Sequence, residues 1–423
     1  MRASTVYIWM AAVLTLANAI MFTTYAVYYV NGLGLSPLQL LLVGTALELT
    51  ILLFEIPTGV FADTRGRRLS VIIGIAIVGS AFILEGSVPL IFALTGGLLS
   101  LFAGVVLAEV FRGIGETFIS GASIAWITDE VGEKQVGDLL LKSNSINIGA
   151  GIAGILLSML LSSLSLNLPY LVGGVLYLLL ALFLLFKMKE SLTVHEAEEF
   201  SSHVSHAAAT MKSGLAIIRR SAVLPALMVS VFFAGAGLEG IDRLWEAHLL
   251  TSFQLPEVFG FTPSVWIGLI TLCASLLTFL ATAAVRKLVN TEEAGAIAFF
   301  LSILTVIQIA CTIGFAAAGE FLWALISFLL LAMVRNVKSP LYDAWIIQHI
   351  PSESRSTTLS MISVFDAFGQ TVGGPVVGAA GTRYTVRTSL LLSAVFLFPV
   401  LLVFMRARKL YKMKKDQQNG AHL

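Results

Sequence analysis

The sequence predicts an all-α membrane protein with twelve transmembrane helices in two pseudo-symmetric six-helix bundles, and three observations carry that prediction. Hydrophobic residues make up 57% of the 423-residue chain and charged residues only 12%, where a soluble domain carries roughly 25% charge. Mean hydropathy is +0.91. The apolar residues also fall in runs of about 20, the length a helix rising ~1.5 Å per residue needs to cross a hydrocarbon core ~30 Å thick. Finally, short sequence echoes recur between the two halves at nearly one offset, as a duplicated unit would produce.

Taken in order, runs at 6–30, 38–61, 69–92, 98–128, 141–164 and 168–187 build the first bundle, 1–187. The first run follows Arg2, no small-residue cleavage site succeeds it, and Tyr25, Tyr28 and Tyr29 near its end mark a retained helix. The widest polar interruption, 188–221, is a cytoplasmic linker. Its His195, His203 and His206 lack fixed helical spacing, which favours a solvated segment over a metal site. Runs at 222–250, 263–285, 294–315, 319–338, 357–381 and 388–405 build the second bundle, 222–405, and 406–423 is a basic cytoplasmic tail. Cys273 and Cys311 lie inside apolar runs as small buried hydrophobes rather than a disulfide or metal pair.

Basic residues set the orientation. With the amino terminus inside, the internal loops hold Arg65, Arg67, Arg68, Lys134, Lys142, Lys187, Lys189, Lys212, Arg219, Arg220, Arg286, Lys287, Lys338 and Arg355. The external loops hold only Arg383 and Arg387, so both termini are expected in the cytoplasm. The halves echo each other in SGASIAWI (120–127) and SPLYDAWI (339–346), in Arg67 and Lys287, and in Gly151 and Gly369. Duplicated units of this kind place a substrate site at their interface near the bilayer midplane.

The turn after the second run reads Gly59, Asp63, Gly66, Arg67, Arg68, which matches G-x-x-x-D-x-x-G-R-R/K. On that motif the chain resembles the major facilitator superfamily along essentially its whole length. FEIPTG, the LAE of the fourth helix, SPLYDAWIIQHIP and GQTVGGP (369–375) resemble a bacterial branch that includes many drug exporters. The resemblance implies that Gly59, Asp63, Arg65, Gly66, Arg67 and Arg68 form a gating motif that latches helix 2 to helix 11 in one access state. The plainer reading is a positive-inside anchor. Asp63 is expected where helix 3 begins, facing unsatisfied amides. The chain departs from the exporter pattern R-x-x-Q-G-x-G in helix 4, where Glu109 takes the Arg position and Arg112 the Gln position, and the stretch from Arg68 to Glu109 is longer than usual.

A charge at bilayer depth costs ~2.5–3.5 kcal/mol, so each one calls for an internal partner or a wet cavity. Glu48 lies mid-helix with Glu55 seven residues on; Glu109, Arg112 and Glu116 share one helix face; Glu239, Arg243 and Glu246 repeat that arrangement with Asp242 adjacent. Arg335, Asp366 and Gln370 complete the set, and helices 3, 6, 9 and 12 read as free of mid-span charge. Glu48, Glu109, Arg112, Glu116, Glu239, Asp242, Arg243, Arg335 and Asp366 are the candidates for proton coupling or a central charge network, with packed structural ion pairs as the alternative. Asn18, Tyr25, Tyr28, Asn147, Phe232, Phe365 and Gln370 are candidates for a cargo pocket, on helices that line the family's cavity. Gly149, Gly151, Gly154, Gly369, Gly373 and Gly378 suit close helix approach.

Together these readings predict a monomeric, proton-coupled exporter of an amphipathic or cationic small molecule, in a bacterial inner membrane, driven by the proton gradient without cofactor or metal. An uptake permease or lipid transporter of the same fold, or a non-transporting receptor or scaffold, are the alternatives. No P-loop or catalytic spacing is present, and the basic tail suits anionic lipid rather than nucleic acid.

Overall fold

The computed structural model describes residues 1–190, 218–219, 224–288, 294–349 and 355–420. His195, His203, His206, Lys212 and Arg220 lie outside the described residues, as do the side chains of Arg286, Lys287 and Arg355. Among the described residues the regular structure is helical. The helices are α1 (Ala3–Phe22), α2 (Pro37–Arg65), α3 (Arg67–Gly86), α4 (Val88–Leu94), α5 (Leu101–Ile119), α6 (Ala122–Val131), α7 (Glu133–Leu164), α8 (Leu168–Lys187), α9 (Leu224–Ser252), α10 (Pro263–Leu288), α11 (Ala294–Ala317), α12 (Phe321–His349), α13 (Arg355–Arg383) and α14 (Val386–Gly420).

Ten of these are long and apolar enough to cross a membrane. The two other long helices, α5 and α13, are too polar to qualify by composition: α5 carries Glu109, Arg112 and Glu116, and α13 is rich in Gly, Ser and Thr around Asp366. The large apolar residues that stay exposed, such as Leu53, Leu160, Phe279 and Leu402, suit a lipid-facing surface.

Local chemistry explains the boundaries. Ser36 and Gln39 form a capping box that starts α2, with Pro37 in its first turn. Gly66 ends α2 and starts α3 at φ 104, and a Cβ there would stand 2.7 Å from the Glu190 carboxylate. The positive φ is what calls for glycine there, since the Glu190 side chain can swing aside. The first run does not continue as one α-helix to residue 30: α1 stops at Phe22, Thr23 donates to Ala19 O at 2.6 Å, and a π-helical segment follows at Val27–Gly32. The fourth run divides into α5 and α6 at Ser120 and Gly121. The long stretch between Arg68 and Glu109 holds the short extra helix α4.

The chain divides into two compact units, Met1–Ala207 with Pro256–Thr271, and Ala208–Leu255 with Leu272–Leu423. In the first, α3 lies against α5 and α8, α2 against α5, and α1 against α7. The start of α10 joins this unit through Ser162, which donates to Ser264 at 2.7 Å. In the second, α9 lies against α13 and α14, and α11 against α12 and α14. Its core gathers Leu227, Val231, Leu301, Trp345 and Phe404. Lipid supplies no hydrophobic drive between helices, so close packing of small residues carries the association. Gly369 is pressed against the Phe232 backbone, Gly373 against Ala236 and Gly154 against Ala19, whereas Gly149 faces open space. Cys273 is exposed rather than buried, and Cys311 is half-buried.

Candidate functional site

In the first unit, the acid–base–acid face of α5 is formed as its spacing requires. Arg112 Nη2 lies 2.7 Å from Glu109 Oε2, and Arg112 Nε lies 3.7 Å from Glu116 Oε1. Glu109 and Arg112 are buried, at 2% and 4% exposure, while Glu116 reaches solvent or lipid. The guanidinium sits 5.1 Å from the Phe22 ring centroid and 5.9 Å from that of Phe82.

Helix 3 is not free of charge, contrary to the sequence reading. Glu85, in the last turn of α3, is fully buried beside this pair. Tyr29 donates to Glu85 Oε1 and reaches Glu109 Oε1 at 3.4 Å, while Tyr28 donates to the Glu85 carbonyl at 2.8 Å. Tyr170 stacks on Tyr29 with ring centroids 6.2 Å apart. Among the described residues Glu85 Oε2 has no hydrogen-bond partner. Two carboxylates therefore share one tyrosine hydroxyl and lie beside one guanidinium. The signal was a lone glutamate in the apolar run IGIAIVGSAFILEG.

Elsewhere in this unit Glu48 is half-buried in α2, and Glu55 is exposed and accepts from Ser120 at 3.0 Å. Of the predicted cargo residues, Tyr28 is core, Asn18 accepts from Tyr177 at 2.6 Å, Tyr25 meets Tyr29 edge-on, and Asn147 is half-buried.

The loop motif is knitted into its own unit. Arg67 pairs with Asp129 on α6, and its amide donates to Glu190 at 2.8 Å. Arg68 donates to the carbonyls of Met188 and Leu185, each at 2.7 Å, and so satisfies the open carboxyl end of α8. Asp63 does not begin helix 3. It lies exposed in the last turn of α2 with Arg65, because the helix breaks at Gly66; Gly59 sits exposed within α2.

In the second unit, Arg243 donates to Glu239 at 3.0 Å along α9, and Arg335 Nη2 binds both Asp242 oxygens, at 2.6 and 2.8 Å, across α9 and α12. Gln370 donates to Asp366 at 2.8 Å. Phe232 packs on Phe233 and Phe368, and Phe365 joins the unit's core. Lys338, read as a loop residue, lies inside α12, which runs on to His349; its ammonium donates to Gln308 of α11 at 2.9 Å.

A cavity of about 400 Å³ opens beside these groups, entirely within the second unit. Asp242, Arg335, Lys338, Gln308 and Asn336 supply its polar lining; Trp245 and Phe328 stack 4.2 Å apart in its wall. Of the residues predicted from sequence, only Asp242 and Arg335 reach it. The volume falls within the range of small-molecule pockets. An ion pair and amide donors on an aromatic wall can orient the polar end of a small solute while its apolar body stacks. Among the described residues no group of His, Cys, Asp and Glu could hold a metal ion.

Comparison with known proteins agrees with this architecture. The Major Facilitator Superfamily model matches residues 8–338. An uncharacterized MFS-type transporter, YxaM of Bacillus subtilis (strain 168), is 24% identical over 375 residues, 86% of each chain. Among solved structures, the nucleoside transporter NupG superposes with a TM-score of 0.70 at 13% identity, covering 96% of this chain and 99% of its own. A D-xylose-proton symporter gives 0.63 at 14% identity, covering 93% and 96%. By fold, by loop motif and by family match over most of its length, this multi-pass membrane chain belongs to the major facilitator superfamily.

Proposed function

We propose that the chain is a proton-coupled secondary transporter that moves an amphipathic small molecule outward across a bacterial inner membrane, as a monomer, without cofactor or covalent chemistry. The observation that carries this reading is the Asp242–Arg335 bridge at the cavity of the second unit, because it joins two helices beside space for a solute. Asp242 is half exposed, so a proton can reach its carboxylate. Protonation removes the charge that holds Arg335, loosens α9 from α12 and changes the cavity wall. A solute that favours one arrangement and a proton that favours the other are thereby coupled. The outward direction rests on the resemblance of FEIPTG and GQTVGGP to exporters.

A second reading, uptake, is favoured by the likeness in fold to a nucleoside transporter and a D-xylose-proton symporter. Purified protein in vesicles with an imposed pH gradient separates the two by the polarity that drives flux. Asp242→Asn is expected to abolish gradient-driven accumulation while leaving solute counterflow measurable. Gradient-driven flux unchanged in this variant would defeat the coupling role.

A further inference from the structure

The cavity of the second unit holds more positive than negative charge. Arg335 is matched by Asp242. Lys338, one helical turn further along α12, lines the same space, and among the described residues its ammonium forms no ion pair. Its partners are the neutral Gln308 oxygen at 2.9 Å and the Phe404 ring, whose centroid is 5.7 Å away. The remaining titratable group on the lining, Tyr342, sits on the turn of α12 that follows. Gln308 is itself buried, at 1% exposure, so the ammonium is held in place by a group with no charge to offer.

A lysine at membrane depth is expensive unless it snorkels, pairs or loses its proton. Lys338 cannot snorkel while it is bonded to buried Gln308. With Lys338 protonated, the lining carries one acid against two bases, a deficit of one negative charge. The stacked Trp245 and Phe328 rings give one side of the lining an aromatic, apolar character.

We propose that this cavity binds an organic anion: a carboxylate or similar acidic head on Lys338, and a planar apolar body against Trp245 and Phe328. This rests on the transport reading above for its role as cargo, and it replaces the cationic cargo that the acidic helices suggested. Gln308 positions the ammonium, and Arg335, bridged to Asp242, keeps that acid from repelling the bound anion.

The test uses the full chain in nanodiscs and three probes of one shape: a naphthoate, the matching naphthamide and the matching naphthylmethylammonium, titrated by calorimetry. The naphthoate is expected to bind about tenfold or more tighter than the amide, the usual advantage of a charge-assisted bond. The preference should vanish in Lys338→Gln, persist in Lys338→Arg, and survive with weaker binding of all three probes in Trp245→Ala. Equal affinities in the unmutated protein, preference for the cation, no naphthoate binding, or a preference that survives Lys338→Gln would each overturn the proposal. The probe series on the unmutated chain decides without any variant having to fold. An intact anion preference without flux in vesicles would remove the transport reading and leave the site; flux without the preference would do the reverse.

Discussion

Glu85 shows how much a single side chain can hide. It lies eighteen residues beyond Arg67 on α3, roughly 27 Å along the axis at ~1.5 Å per residue. It is thus far from the Arg-rich turn and enclosed by Tyr28, Tyr29 and Glu109. Removing one donor from a buried acid leaves its desolvation uncompensated, so Tyr29→Phe should lower unfolding stability by about 1.5–3 kcal/mol. Arg112→Leu, which strips the guanidinium from two buried acids, should cost more, about 3–5 kcal/mol. Thermal or denaturant unfolding in detergent measures both, and an unchanged midpoint in Tyr29→Phe would mean that the cluster is not held as described. Pairs three and four residues apart were legible in advance: Glu109 with Arg112 and Glu239 with Arg243 follow from helical spacing alone. Asp242 with Arg335, Arg67 with Asp129 and Lys338 with Gln308 were not. Periodicity tells which face a residue occupies, but the partner across the groove depends on tertiary packing.

At the scale of elements, the joint between α2 and α3 combines features of different energetic weight. Gly66 is a backbone requirement, at φ 104 with the Glu190 carboxylate where a Cβ would go. Gly66→Ala should therefore destabilise the joint by about 1 kcal/mol or more. Arg67 and Asp129 are each 31% exposed, and exposed pairs contribute about 0–1 kcal/mol. Arg67→Ala should consequently leave unfolding nearly unchanged, and any loss of transport in that variant would report on gating rather than folding. Comparing melting midpoints with initial transport rates separates the two effects. A large stability loss in Arg67→Ala would contradict this division. Some helix starts were legible: the runs read from 38 and 263 begin within one residue of α2 and α10. The break at Gly121 was not, because apolar residues continue on both sides of it. α12 was read too short for the opposite reason: Lys338, Ser339 and Pro340 look like a loop, yet the helix passes through them. The two tryptophans of the AWI echo, Trp126 and Trp345, are both buried at 1% exposure.

For the whole molecule, composition and charge distribution decide different things. Composition picks out ten helices long and apolar enough to span, and the two other long helices, α5 and α13, are more polar because they carry Glu109, Arg112 and Asp366. We predict that the twelve long helices among the described residues each cross once, an even number that puts both chain ends on one side. Retention of Lys and Arg chooses which side, since basic segments resist translocation. α14 carries Arg406, Arg408 and Lys409 just past its apolar stretch, while the ends of α13 and α14 that flank their turn carry Arg383 and Arg387. We predict that both termini are cytoplasmic. In a chain with Cys273 and Cys311 replaced by Ser, a cysteine at Thr385 should react with an impermeant maleimide added to intact cells, and one at Arg408 should react only after lysis. The reverse pattern would invert the protein in the membrane. It would also turn the side to which the Asp242–Arg335 cavity presents its acid, so the polarity of gradient-driven flux and the labelling pattern must agree with each other.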